Sequence, residues 1–163
     1  MSKRILFDNG DGGLAIVIPA PNYVAVLIEA NPGYTEQQCM EQIATKDLSP
    51  GTEYEVVDEA DIPTDRTFRD AWEHDTSAAP EKIKCNITKA IVIAHAMRRV
   101  KRDEAFLPHD MVIAAAIPGN TVAEDAANAA RDIIRADDAA NQITIDATTT
   151  EAELKTAVDA IAH

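Results

Sequence analysis

The chain has 163 residues, a formal net charge of −13, 46% hydrophobic residues and only 4% aromatics. That length accommodates one domain with a true core, or a small domain plus a helical extension, and excludes two large domains. So acidic a surface repels nucleic-acid phosphates, and no apolar run approaches the roughly 20 residues a membrane span needs.

Cys39 and Cys85 lie far apart with no CxxC spacing, and no histidine stands at a ligand-like interval from either, so neither a structural metal nor another cofactor is expected. The start, Met1-Ser2-Lys3-Arg4, lacks the long apolar stretch of a secretory signal, which predicts reduced thiols and a chain that stays in the cytoplasm or in a particle assembled there. The charge is uneven. Residues 1–83 carry 6 Lys and Arg against 16 Asp and Glu, and residues 84–163 carry 9 against 12.

In chain order, Arg4–Phe7 and Leu14–Pro19 are β-prone runs separated by Asp8-Asn9-Gly10-Asp11-Gly12-Gly13, which predicts a hairpin. The loop is a turn and not a calcium site: counted from Asp8, the positions an EF-hand reserves for oxygen ligands hold Gly10, Gly12 and Pro19. Tyr23–Ile28 is an apolar run whose length does not settle strand against helix: its Val and Ile content favours a strand, whereas Glu29-Ala30 would extend it as a short helix. Thr35, with Gln38 three residues on, opens a helix with Cys39, Met40, Ile43 and Ala44 on one face. Tyr54–Val57 is a short strand.

The densest stretch follows: Ile62-Pro63-Thr64-Asp65-Arg66-Thr67-Phe68-Arg69-Asp70-Ala71-Trp72, holding the only tryptophan and one of three phenylalanines. Taken as a short helix opened by Pro63-Thr64, it sets Asp65 four residues before Arg69 and Arg66 four before Asp70, and puts Phe68 and Trp72 on one face. Rigid rings framed by guanidinium groups are what a binding hot spot needs, which assigns a partner interface to Arg66, Phe68, Arg69 and Trp72. The competing reading makes the two rings anchors to the core.

Residues 76–80 are small and polar and mark a hinge, dividing the chain into an N-terminal module (1–79) and a helical region (80–163). Lys82–Ile87 alternates like a brief strand, and Thr88 caps a helix reaching about Phe106. On that helix Ala90, Ile93, Met97 and Val100 form a better apolar spiral than Ile91, Ala94 or His95, and Arg98. His95 is a lone histidine with no partner in register. Arg98-Arg99-Val100-Lys101-Arg102 spreads its charge around the helix, so ion pairing is favoured over a phosphate-binding stripe. Pro108 and Pro118-Gly119 bracket a short helical or irregular segment. Thr121 and Glu124 then open a helix whose apolar positions, Val122, Ala126, Ala129, Ile133, Ala136, Ala140 and Ile143, alternate at intervals of four and three. This heptad seam predicts close packing on another helix, as a hairpin within the chain or as an intermolecular coiled coil. Thr150 and Glu153 cap a last helix, whose Leu154, Val158 and Ile161 complete a small bundle.

The aromatic motif, preceded by Gly51–Asp58 and followed by Glu81–Lys84, the helix with Ala94-His95 and Arg98–Arg102, and the closing Ala147–Lys155, resembles a family of small proteins encoded in tailed bacteriophages and prophages, often near tail or tail-fibre genes. The resemblance implies a virion component of the tail, neck or fibre apparatus that docks on other tail or fibre proteins, is oligomeric in the particle, and resides in the host cytoplasm during assembly. An assembly chaperone absent from the finished particle is the alternative. No catalytic residues carry over, and the residues themselves offer no nucleophilic triad. His74-Asp75 and His109-Asp110 are adjacent pairs whose side chains diverge on most backbones. The expectation is therefore an α+β fold, a small β-rich N-terminal module followed by a helical hairpin or three-helix arm, that binds and does not catalyse.

Overall fold

The structure, a computed structural model, describes residues 2–75, 82–116 and 121–161. The fold is α+β and divides into two compact units, Met1–Asn86 and Ile87–His163. The hinge expected at residues 76–80 lies outside the described residues, and the chain beyond it returns to the first unit as a strand, so the division falls after Asn86.

In the first unit, β1 (Lys3–Asp8) is the central strand of an antiparallel sheet of order β2-β1-β3, with β2 (Leu14–Val17) and β3 (Tyr54–Asp58) on either side. The predicted hairpin is present, in register Ile5↔Val17 and Leu6↔Ile16. Its loop oxygens are committed to the turn: Asp8 Oδ1 accepts from Gly10 N at 2.7 Å, and Asn9 Oδ1 accepts from Asp11 N at 2.9 Å and Gly13 N at 3.1 Å. Gly10 and Gly12 adopt φ of 87° and 70°, a left-handed conformation that favours glycine.

Successive strand residues point to opposite faces, so the two most buried residues of β1 found two cores. Ile5 joins Leu27, Cys39, Met40, Ile43 and Ala44, with Val17 and Val56 against them. Leu6 joins Val57, Ile62 and Trp72, with Leu14, Ile16, Ile83 and Cys85. The first core is covered by α1 (Pro21–Ala30) and α2 (Glu36–Asp47).

α2 is as predicted. Thr35 Oγ1 accepts from Gln38 N, Gln38 Oε1 accepts from Thr35 N, and Cys39, Met40, Ile43 and Ala44 are buried. α1 replaces the strand expected over Tyr23–Ile28. Pro21 stands at the start of the helix, where its missing N–H costs nothing. Tyr23, Val24 and Leu27, spaced as one helical face, reach the core, leaving Val26 54% exposed.

A small second sheet closes the unit: β4 (Trp72–His74) pairs antiparallel with β5 (Ile83–Cys85), in register Trp72↔Cys85. Asn86 N donates to Ala71 O at 2.8 Å.

The second unit consists of α3 (Ile87–Ala114), α4 (Thr121–Asp146) and α5 (Glu151–Asp159). The hairpin with a third helix agrees with expectation, and Leu154, Val158 and Ile161 are buried. Thr150 and Glu153 form the predicted capping box.

Three details differ. α3 runs through Pro108, since one lost hydrogen bond does not end a helix packed along its length. Its buried spiral is Ala90, Ala94 and Arg98, while Val100 is 57% exposed, because the hairpin follows a buried ion pair and not the more apolar stripe. That pair is Arg98 Nη1 to Asp138 Oδ2 at 2.5 Å, with Gln142 and the Asp138 carbonyl also accepting from the guanidinium. On α4 the residues facing the hairpin are Ala127, Asp138 and Ile145, and the predicted heptad seam points the other way.

Candidate functional site

The aromatic motif is not a helix. After Ile62 the chain runs irregularly to a single 3-10 turn at Arg69–Ala71 and then enters β4. Asp65 turns the backbone locally, its Oδ1 accepting from Thr67 N at 2.9 Å and Thr67 Oγ1 at 2.7 Å, a bond that competes with helix formation. The helical spacing that would set Asp65 beside Arg69 and Arg66 beside Asp70 is therefore lost.

The four residues expected to meet a partner separate into two pairs. Phe68 is 1% exposed and Trp72 2%, so both rings are core anchors and not a surface. Trp72 packs with Leu6, Val57 and Ile62 under the sheet. Arg66 and Arg69 are exposed. The physical reason is the sheet's second face, which Ile62 and Trp72 of this segment cover together with Ile83 and Cys85.

With the rings as footing, the arginines line a cleft of about 290 Å³. Its walls come from three places: Arg4 and Ile16 on the sheet face that also carries Leu6, Ile18 just beyond β2, and Ile62, Pro63, Thr64, Arg66 and Arg69 of the motif. Glu59 stands at the edge and holds one of the three guanidinium groups, Arg4 Nη2 to Glu59 Oε1 at 2.8 Å, while Arg4 Nη1 donates to the Lys3 carbonyl at 2.9 Å. The result is an aliphatic floor, Ile18 being 59% exposed, under two exposed guanidinium groups, in the acidic half of the chain. Such a place accepts a carboxylate-bearing side chain with an apolar neighbour.

Other polar clusters have structural roles. Glu55 Oε1 lies 2.9 Å from Lys82 Nζ and its Oε2 3.3 Å from His74 Nε2. The Lys82 ammonium, helped by His74, holds the Glu55 carboxyl below its ordinary pKa against the opposing effect of burial. His95, expected to lack a partner, meets Asp146 Oδ1 at 2.8 Å across the hairpin, a contact 51 residues apart that periodicity does not reveal.

The basic run 98–102 is used inside its own unit. Arg102 pairs with Asp103 and Asp138, Lys101 Nζ donates to the Val158 and Ile161 carbonyls at the end of α5, and Arg99 is left exposed. Asp110 pairs with Arg131 at 3.3 Å. Cys39 is buried and Cys85 half-buried, and neither is joined in a disulfide. Among the described residues no group of three or more His, Cys, Asp or Glu is placed to hold a metal ion, and no helix is long and apolar enough to cross a membrane.

Compared with known proteins, the chain matches no family model, no curated protein and no solved structure.

Proposed function

We propose that this chain is a protein-protein docking component of a bacteriophage tail, neck or fibre apparatus, a virion structural protein that binds and does not catalyse. The observation that carries the docking part is the cleft: two exposed arginines, Arg66 and Arg69, over an aliphatic floor, in a half of the chain whose net charge is strongly negative. Local positive charge within a surface of the opposite sign selects an acidic partner segment. Buried Phe68 and Trp72 support the reading by fixing the loop that presents the arginines, so that little ordering entropy is lost on binding. The placement in a tail apparatus rests on the resemblance carried by the motif and its flanks.

Mass spectrometry of purified particles tests the role. Stoichiometric copies are expected. Absence from particles, with the chain bound to assembly intermediates, would replace the structural role with that of a chaperone.

A further inference from the structure

The seam that sequence assigns to helix packing is exposed along its whole length. On α4, Val122 is 78% exposed, Ile133 63% and Ile143 70%, and Ala126, Ala129, Ala136 and Ala140 between them are exposed too. The hairpin instead uses a second heptad set on the same helix, Ala127, Arg131, Ile134, Asp138, Asn141 and Ile145, which helical geometry places on the opposite side. α3 has the same construction: Ala90, Ala94 and Arg98 are buried, while Val92, Val100, Leu107 and Met111 on the far side are 57–65% exposed. The hairpin thus has an apolar outer edge on each helix.

The two edges fit each other. From Val122 to Ile143 the α4 edge is about 32 Å long, and from Val92 to Met111 the α3 edge is about 29 Å. Laid antiparallel, one register brings Val122 opposite Met111, Ala126 opposite Leu107, and Ile133 opposite Val100, with Ile143 reaching Val92. The parallel alignment that pairs Val92 with Val122 sets Ile133 against Asp103 and Leu107 against Asp137.

Charge agrees with the antiparallel register. Exposed Arg99 on the α3 edge falls between exposed Asp137 and Asp132 of the α4 edge, of which Asp132 is already held by Arg135. Asp103, which Arg102 already holds at 2.9 Å, comes opposite Ala129 and Ala130. Counting about 100 Å² for each of these large aliphatics and about half that for each alanine, one such contact removes about 900 Å² from water, the size of a weak, concentration-dependent association.

We infer that this chain assembles with copies of itself head to tail, the outer edge of α4 in one copy seated antiparallel on the outer edge of α3 in the next. Because α3 and α4 are antiparallel within each hairpin, every copy in the series points the same way, a head-to-tail contact that makes a ring where its rotation closes and an open filament where it does not. This contact is separate from the arginine cleft and stands whether or not that cleft binds a partner.

Two exposed substitutions test it on the full chain. Ile133→Glu damages the α4 edge and Val100→Glu the α3 edge, and neither position is buried, so circular dichroism should match wild type. Light scattering and sedimentation velocity are expected to give an assembly for wild type, the 17.6 kDa monomer for each variant alone, and a species of twice that mass on mixing them, since one intact edge of each kind remains. Association of each variant alone should be weakened at least tenfold. A monomeric wild type, a Val100→Glu variant that still assembles, or a mixture that stays monomeric overturns the inference. The second of these results would indicate α4 packing on α4.

Discussion

Replacing Phe68 by alanine separates the two roles the aromatic motif can have. The ring is 1% exposed and the segment that carries it closes one face of the central sheet. Truncating a buried phenylalanine costs about 3–5 kcal/mol, the lost transfer energy plus the cavity left behind. A unit the size of residues 1–86 has a total stability of roughly 4–13 kcal/mol, so the loss is a large share of the whole. Trp72 is the only tryptophan, so its fluorescence follows this unit alone during urea unfolding. With a slope near the low end for small domains, about 1–1.5 kcal/mol per molar urea, the midpoint should fall by about 2–5 M, or the unit should be unfolded without denaturant. Arg66→Ala and Arg69→Ala, at exposed positions, should stay within about 0.5 kcal/mol of wild type. A Phe68→Ala chain that unfolds like wild type yet loses its partner would refute the reasoning and return the ring to the binding surface.

Two further outcomes follow from the polar contacts. Asp138→Ala leaves Arg98 buried without its charge partner and should destabilise the helical unit by about 3–5 kcal/mol, whereas replacing both with apolar residues of similar volume should be close to neutral; thermal unfolding by circular dichroism distinguishes them. Glu55 has its folded pKa depressed by Lys82, so its contribution is present above the ordinary carboxylate pKa of 4.5 and lost as pH falls through the lower folded value. Glu55→Gln should accordingly lower stability at neutral pH and flatten the acid limb below about pH 4.5, read as urea midpoints across the range.

Much of the fold was legible because local chemistry and tertiary packing agree there. The hairpin, the capping boxes at Thr35 and Thr150, the face of α2 and the buried Leu154, Val158 and Ile161 all follow from spacing. Misreadings occur where two signals compete. Val and Ile in 23–28 argue for a strand, but Pro21 starts a helix and Tyr23, Val24 and Leu27 share one face of it. The motif carries helical spacing, yet Asp65 bonds to Thr67 and turns the chain. On α4 two heptad sets coexist. The hairpin takes the more polar one because Asp138 meets Arg98 inside, a match invisible without the partner helix. Of the candidate site, Arg66 and Arg69 were legible as surface residues beside rings. The cleft was not, since Arg4 and Ile16 arrive from strands far away in sequence.

The account's central claim is that Arg66 and Arg69 are the motif's contact with a partner while Phe68 and Trp72 only hold it up. Incorporation of an Arg66→Glu/Arg69→Glu chain into particles tests it most directly, with Trp72 fluorescence confirming that the fold is intact. Loss of the chain from purified particles, with wild-type unfolding behaviour, is the predicted result, and incorporation at the wild-type level would contradict it.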